Sequence, residues 1–353
     1  MLYNIIKGGF MNTLNYIEKL TSIPSPTGYT NEIVSYLKQE IESFGYETFK
    51  TNKGALMVSV TGKDNERHRV VTAHVDTLGA IVRAIKPNGR LKIDLIGGFV
   101  YNSIEGENCI VHVNKNNTKI SGTILMHQIS VHVYKDASTA ERNQDNIEIR
   151  LDAKTSSKKE TEDLGIQVGD FISFDPRTII TETGFIKSRH LDDKVSAAIL
   201  INQLKKIKEE NIELPHTTHF YFSNNEEIGY GANSSISKET VEYLAVDMGA
   251  MGDDQQTDEF SVSICVKDSS GPYNFDFKKN LIELCEKNNI PYKLDIYPRY
   301  GSDASAAMSA GVDVRHALFG AGIESSHAYE RTHIESVNAT EKLVESYINS
   351  EME

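Results

Sequence analysis

The chain has 353 residues, enough for one large hydrophobic core and a smaller second one, because single cores stop growing below about 300 residues. Its 37 Lys and Arg against 50 Asp and Glu give a formal charge of −13, which repels a phosphate backbone and excludes nucleic acid as a partner. No apolar run approaches the about 20 residues of a membrane helix and no signal-peptide pattern opens the chain, so neither a membrane partner nor export is predicted.

Met11, Leu14, Ile17 and Leu20 recur at helical spacing, and residues 1–10 before them read as an extension or an upstream start. After the turn-rich 22–28, the apolar positions Ile33, Val34, Leu37, Ile41 and Phe44 predict a second helix, with Thr30 as its cap and Gly45 as its stop. Strands are predicted over 56–60 and 69–73, the latter ending just before His74-Val75-Asp76.

From about 78 to about 178 the texture changes to short β-prone runs, 80–85, 91–96, 109–113, 146–151 and 171–174, separated by Gly, Asn and Asp turns. They predict a small β-barrel or β-sandwich inserted into an α/β domain, with 135–146 as an exposed loop or helix. The α/β pattern then returns, with helices over 192–208, 274–289, 302–310 and 338–348 and strands over 219–223, 244–246, 260–266 and 314–319. The organisation expected is therefore a discontinuous domain, 1–77 and 179–353, interrupted by a β-rich insertion, 78–178.

Carboxylates and imidazoles fall at or just beyond predicted strand ends, where open α/β sheets place their ligand crevice. The stretches are His74-Val75-Asp76, Leu191-Asp192-Asp193-Lys194, Asn225-Glu226-Glu227-Ile228-Gly229, Val246-Asp247-Met248-Gly249 and Ser325-Ser326-His327. A lone HxD or an acidic doublet usually belongs to a solvated surface. Here Glu226-Glu227 follows the β-prone 220–223 and precedes two glycines, and Asp247 ends a run whose burial would be costly without a cation. Nitrogen and oxygen ligands without thiolate suit zinc, cobalt or manganese. Cys109, Cys265 and Cys285 lie far apart with no CxxC spacing, read as small buried apolar residues, and fit a reducing cytoplasm.

These motifs, with Ser302-Asp303-Ala304, resemble in order and spacing the dinuclear metallo-aminopeptidases of metallopeptidase family 42, over essentially the whole chain from Met11 onward. The resemblance implies a zinc-peptidase-like α/β/α catalytic domain with a mixed sheet, carrying an inserted PDZ-like β-barrel that mediates dimerisation. It implies two divalent ions (zinc, cobalt or manganese) bridged by Asp192, with Glu227 and His327 completing one site and His74 and Asp247 the other. Glu226 is then the general base, Asp76 orients His74, and Asp193 is a hydrogen-bonding support. Two metals about 3.5–4 Å apart activate water and polarise the scissile carbonyl. The implied activity is removal of N-terminal residues from short peptides, in a cytoplasmic homo-oligomer built from dimers, up to a dodecamer.

Three positions depart from the family pattern: Lys194 in place of arginine, Thr77 in place of glutamate and Ser302 in place of threonine. They leave the ligands intact and bear on substrate preference, together with 269–273 and the candidate pocket residues Arg299, Tyr300, Ser302 and Asp303. His190, His219, His316 and His333 are read as lying outside the metal shell. Three alternatives stay open: a related dinuclear zinc deacylase or carboxypeptidase, a glucanase needing two carboxylates and no metal, and a metal-stabilised scaffold without catalysis.

Overall fold

A computed structural model describes residues 9–352, so residues 1–8 of the expected extension lie outside the described residues. The first helix, Gly9–Ser22, begins two residues before Met11. The second, Asn31–Ser43, buries Ile33, Val34, Leu37 and Ile41, the stripe that its spacing predicted, and stops where Gly45 takes a φ of +89°. Thr30 precedes this helix but its side chain makes no capping bond; its hydroxyl accepts from the Asn224 amide at 3.0 Å. The hydroxyl is thus drawn into the packing between loop and sheet, which sequence spacing could not foresee.

The core of the molecule is a nine-stranded mixed sheet. Its order along the main path is Thr48–Lys50, Leu56–Val60, His216–Ser223, Asp64–His74, Thr240–Val246, Arg315–Ile323, Val262–Lys267 and Tyr292–Ile296, with Gly249–Ala250 paired to the end of Arg315–Ile323. The four central strands run parallel and are buried on both faces. That is the condition under which near-continuous apolar runs such as Phe220-Tyr221-Phe222 are stable as strands. Helix Leu191–Glu209 is buried from Leu191 through Leu204, because it packs between the sheet and the first helix. Helices Phe275–Asn288, Asp303–Ser309 and Ile334–Ile348 complete the layers, giving an α/β fold.

Between His74 and this helix, six strands close into a barrel in the order Gly79–Ile85, Leu91–Ile96, Ile147–Leu151, Thr118–Met126, Asn108–Val113 and Phe171–Phe174. Its interior is a separate apolar cluster that includes Val82, Ile93, Val111, Ile124, Ile149 and Ile172. Strand Thr118–Met126 escaped the sequence reading because Gly122 interrupts its pattern. A Cβ at Gly122 would lie 2.8 Å from the Arg150 carbonyl, so glycine there serves close strand approach and does not mark a turn. The stretch 135–146 forms turns and no helix. Among the described residues no helix is long and apolar enough to cross a membrane.

Candidate metal centre

The parallel strands bring the motifs to one end of the sheet. Strand Asp64–His74 ends on His74, and Ser223 lies opposite it on the neighbouring parallel strand. Three residues further on, Glu226 opens a short 3-10 turn that brings Glu226 beside His74 and Glu227 beside His327. On the other flank Thr240–Val246 ends one residue before Asp247. Gly320 lets the next strand come close: a Cβ there would lie 1.2 Å from the Asp247 carbonyl. Asp192 and Asp193 occupy the non-helical start of Leu191–Glu209, with a cis peptide between them, and His327 sits in the turn after Arg315–Ile323 with φ +64°.

The Asp192 carboxylate lies between two imidazoles, with Oδ1 3.1 Å from His74 Nε2 and Oδ2 3.4 Å from His327 Nε2. Glu226 Oε2 is 3.8 Å from His74 Nε2, and Glu227 Oε2 is 3.6 Å from His327 Nε2. The structure therefore gathers His74, Asp192, Glu226, Glu227, Asp247 and His327 from five separate stretches. His74, Asp193 and Asp247 present ligand atoms within 4.8 Å of one another, a group able to hold a metal ion.

The surroundings differ in detail from expectation. His74 Nδ1 bonds the backbone carbonyl of Asp76 at 2.9 Å, while the Asp76 carboxylate is 3.6 Å away. That carboxylate accepts from the Thr27 hydroxyl at 2.7 Å and from the amides of Glu226 and Glu227 at 3.2 and 3.3 Å. Asp76 thus anchors the glutamate turn with its side chain and His74 with its main chain. Asp193 supports His74 by accepting its amide at 3.1 Å, yet its Oδ1 is buried without a partner.

Glu330 was not anticipated, because no local pattern in the sequence sets this acid apart. It is buried and accepts from the amides of Asp192 at 3.1 Å and His327 at 3.0 Å. Lys194 is fully buried and donates to the Ile23 carbonyl at 2.8 Å; burial pulls its ammonium down to about 7 against the opposing charge of Asp76.

Electrostatics at this end are lopsided. Burial, then neighbouring acids, push Glu227 up to about 8, Asp247 to about 7 and Glu330 to about 8, and raise Glu226 and Asp193 well above the carboxylate range. Burial would lower His327, but its bond to Asp192 and the charge of Glu227 carry it up to about 10; His74 is likewise raised against burial by Asp192, Glu226 and Asp247. Burial would raise Asp192, yet its hydrogen bonds to the two histidines hold it below the usual range. So many desolvated carboxylates around two imidazoles call for further positive charge, and the orphaned Asp193 Oδ1 calls for a partner. Oxygen and nitrogen donors fit a hard or borderline divalent cation.

A cleft of about 730 Å³ opens onto Asp192, Glu226, Glu227, Asp247 and His327. Arg299 and Tyr300 line it, whereas Asp303 does not: it is buried behind the cleft, accepting from Thr72 at 3.0 Å and from the Ala232 amide at 3.0 Å. Ser302 is buried too, and its side chain caps helix Asp303–Ser309. Of the remaining histidines, His219 bonds His68 at 3.0 Å, His316 packs on Tyr273 with 4.8 Å between ring centroids and His333 bonds the Thr183 carbonyl at 2.9 Å. His190 occupies the left-handed turn before Asp192 and is held neutral by burial.

A mixed α/β sheet that collects buried acids and imidazoles at its strands' carboxyl ends, beside an inserted barrel, defines a hydrolase class with a candidate metal site. The family model described as M42 glutamyl aminopeptidase matches residues 54–343, and this chain belongs to that family. It is 60% identical over 340 residues to YhfE of Bacillus subtilis (strain 168), covering 96% of this chain and 98% of YhfE. Among solved structures, the Pyrococcus horikoshii TET1 peptidase superimposes with a TM-score of 0.84 at 24% identity, over 96% of this chain and 100% of that one. The aminopeptidase APDkam598 of Desulfurococcus kamchatkensis superimposes at 0.87 with 19% identity, over 98% and 96%. These two likenesses bear on the fold.

Proposed function

We propose that the chain is a metal-dependent aminopeptidase that holds two divalent ions and removes N-terminal residues from short peptides. The observation that carries this reading is the Asp192 carboxylate set between His74 and His327, each imidazole with a glutamate beside it. Asp192 would be shared, His327 and Glu227 would complete one site, and His74 and Asp247 the other. Asp193, by its unpartnered oxygen, is a further donor on the His74 side. Such ions, when bound, supply Lewis acidity toward the scissile carbonyl and toward water.

The chain's own residues do the rest. Glu226, 3.8 Å from His74 and raised in proton affinity, is the base that takes a proton from water and delivers it to the departing amine. Asp76 fixes that base by accepting the amides of the glutamate turn. The surplus of carboxylate charge around the cleft favours a substrate's protonated α-amine over a blocked terminus, which makes the activity an exopeptidase one. Met248, Met251 and Ile323 give the cleft an apolar wall for a side chain, with Arg299 at its rim.

A homo-oligomer built from dimers through the barrel is part of this proposal. Its support is that the similar P. horikoshii TET1 peptidase assembles into a tetrahedron or an octahedral shell, and that the barrel exposes Val100, Val131 and Val133. A panel of aminoacyl chromogenic amides with N-acetylated controls, run after chelation and after return of zinc, cobalt or manganese, tests the function. Cleavage only of free-amine substrates, only with metal, is expected; equal cleavage of blocked substrates, or full activity in chelator, overturns it.

A further inference from the structure

The barrel reaches into the candidate metal centre. The turn after strand Leu91–Ile96 places the Gly98 carbonyl 2.8 Å from His327 Nδ1, so this ring nitrogen donates to the barrel while Nε2 faces Asp192 and Glu227. Neutral imidazole carries one N–H, so an acceptor at Nδ1 fixes the tautomer in which Nε2 offers its lone pair. Gly97, at φ +90°, sets the course of that turn: a Cβ there would lie 2.4 Å from Leu78 Cδ2.

A buried charge cluster ties the same two bodies together a few residues away. Arg189, 3% exposed, donates through one terminal nitrogen to the Ala328 carbonyl at 3.1 Å, beside His327. Through the other it donates to the Ser103 carbonyl and to Glu107 Oε1, the latter at 2.9 Å, both on the barrel. Glu107, 6% exposed, also pairs with Arg177. The Arg177 guanidinium stacks 4.1 Å over the Tyr329 ring, whose hydroxyl donates to the Arg177 carbonyl at 2.9 Å. One planar fork therefore spans barrel and ligand turn, a task a lysine cannot perform.

We propose that the Glu107–Arg189 clamp and the Gly98 carbonyl are positioning elements for His327, so that the inserted barrel sets the affinity of the metal site on the His327 side. This rests on the reading of His327 as a metal ligand. Arg189 and Glu107 do not line the cleft, and both are too buried to recognise a partner. The geometry of the cluster is explained by what it joins: the turn bearing Ala328 and the barrel segment that carries Gly98.

The test is zinc binding to the apoprotein by equilibrium dialysis, with thermal midpoints recorded in parallel, on Glu107→Gln, Arg189→Lys and Gly97→Ala. Each is expected to weaken one of two zinc equivalents about 10–100-fold, the cost of disturbing a ligand's hydrogen-bond partner, and to leave the other unchanged. Glu148→Gln is the control. Glu148 is buried on the outer face of the barrel strand Ile147–Leu151, covered by Lys86, Arg90 and His127, which bond it, so its loss should lower the thermal midpoint with zinc affinity intact. Wild-type affinity for both equivalents in folded Arg189→Lys and Glu107→Gln overturns the inference, as does equal weakening by Glu148→Gln. His327→Ala separates the two ideas: if it binds both equivalents normally, the ligand assignment fails, and if it loses one while the clamp variants lose none, only the clamp fails.

Discussion

The two ends of the central sheet handle buried charge in opposite ways. At the strands' amino ends, Glu242 is buried at 2% exposure and meets Arg69 at 3.4 Å and Arg315 at 2.8 Å, while Tyr347 donates to it at 3.0 Å. There the buried Glu242 finds its cations within the chain. At the carboxyl ends, Asp192, Asp193, Glu226, Glu227, Asp247 and Glu330 crowd around His74 and His327, and burial with mutual repulsion raises most of them. The same fold thus carries a balanced charge cluster as structure and an unbalanced one as a site. Buried charge by itself does not mark function; buried charge without an internal partner does.

Substitutions at the two ends should separate along this line. The largest effect is expected at the unbalanced end: Glu226→Gln should lower kcat by about 10²–10⁴-fold, the usual contribution of a general base, with metal content unchanged by elemental analysis. A glutamine variant that turns over like the wild type would leave the base unassigned. At the balanced end Glu242→Ala strands Arg69 and should cost about 3–5 kcal/mol in urea unfolding with no change in metal stoichiometry. Loss of metal from Glu242→Ala would erase the distinction between the ends.

The smallest effect concerns protons. His219, near the amino ends, is desolvated, faces His68 at 3.0 Å and sits near Glu239, and its pKa falls to about 4; burial takes His112 of the barrel to about 4 as well. Both fold neutral, so the unfolded chain binds more protons below the ordinary histidine value of 6.5. Their contribution is complete above about pH 6.5 and is lost as pH falls toward 4, on the order of 1–3 kcal/mol for each residue. His219→Gln should therefore flatten the acid limb of the stability curve over that window, and an unchanged limb would show that His219 titrates at the ordinary value.

Much of the site was legible because its residues punctuate strand ends. His74, Glu226, Glu227 and Asp247 each stand at the point where a β-prone run meets a turn, and parallel strands carry such points to a common edge. Glu330 and Arg189 were not legible. Their roles are made by contacts to residues far away in the chain, Asp192 at 138 positions and Ser103 at 86, which leave no local pattern. Ser302 and Asp303 show a related limit: a helix start shows its capping residue in sequence, but only packing shows that the Asp303 carboxylate accepts from Thr72 and the Ala232 amide.

The sequence by itself determined the α/β layers, the inserted β-rich body and the residue types of the candidate centre, since periodicity and turn chemistry are local and the order of motifs is read directly. Only the tertiary structure decided that Asp192 stands between two histidines, that Asp76 holds the glutamate turn with its carboxylate and His74 with its carbonyl, and that Gly98 bonds His327. Hydrogen bonds and charge act over a few ångströms of space, and it is chain packing that sets those distances.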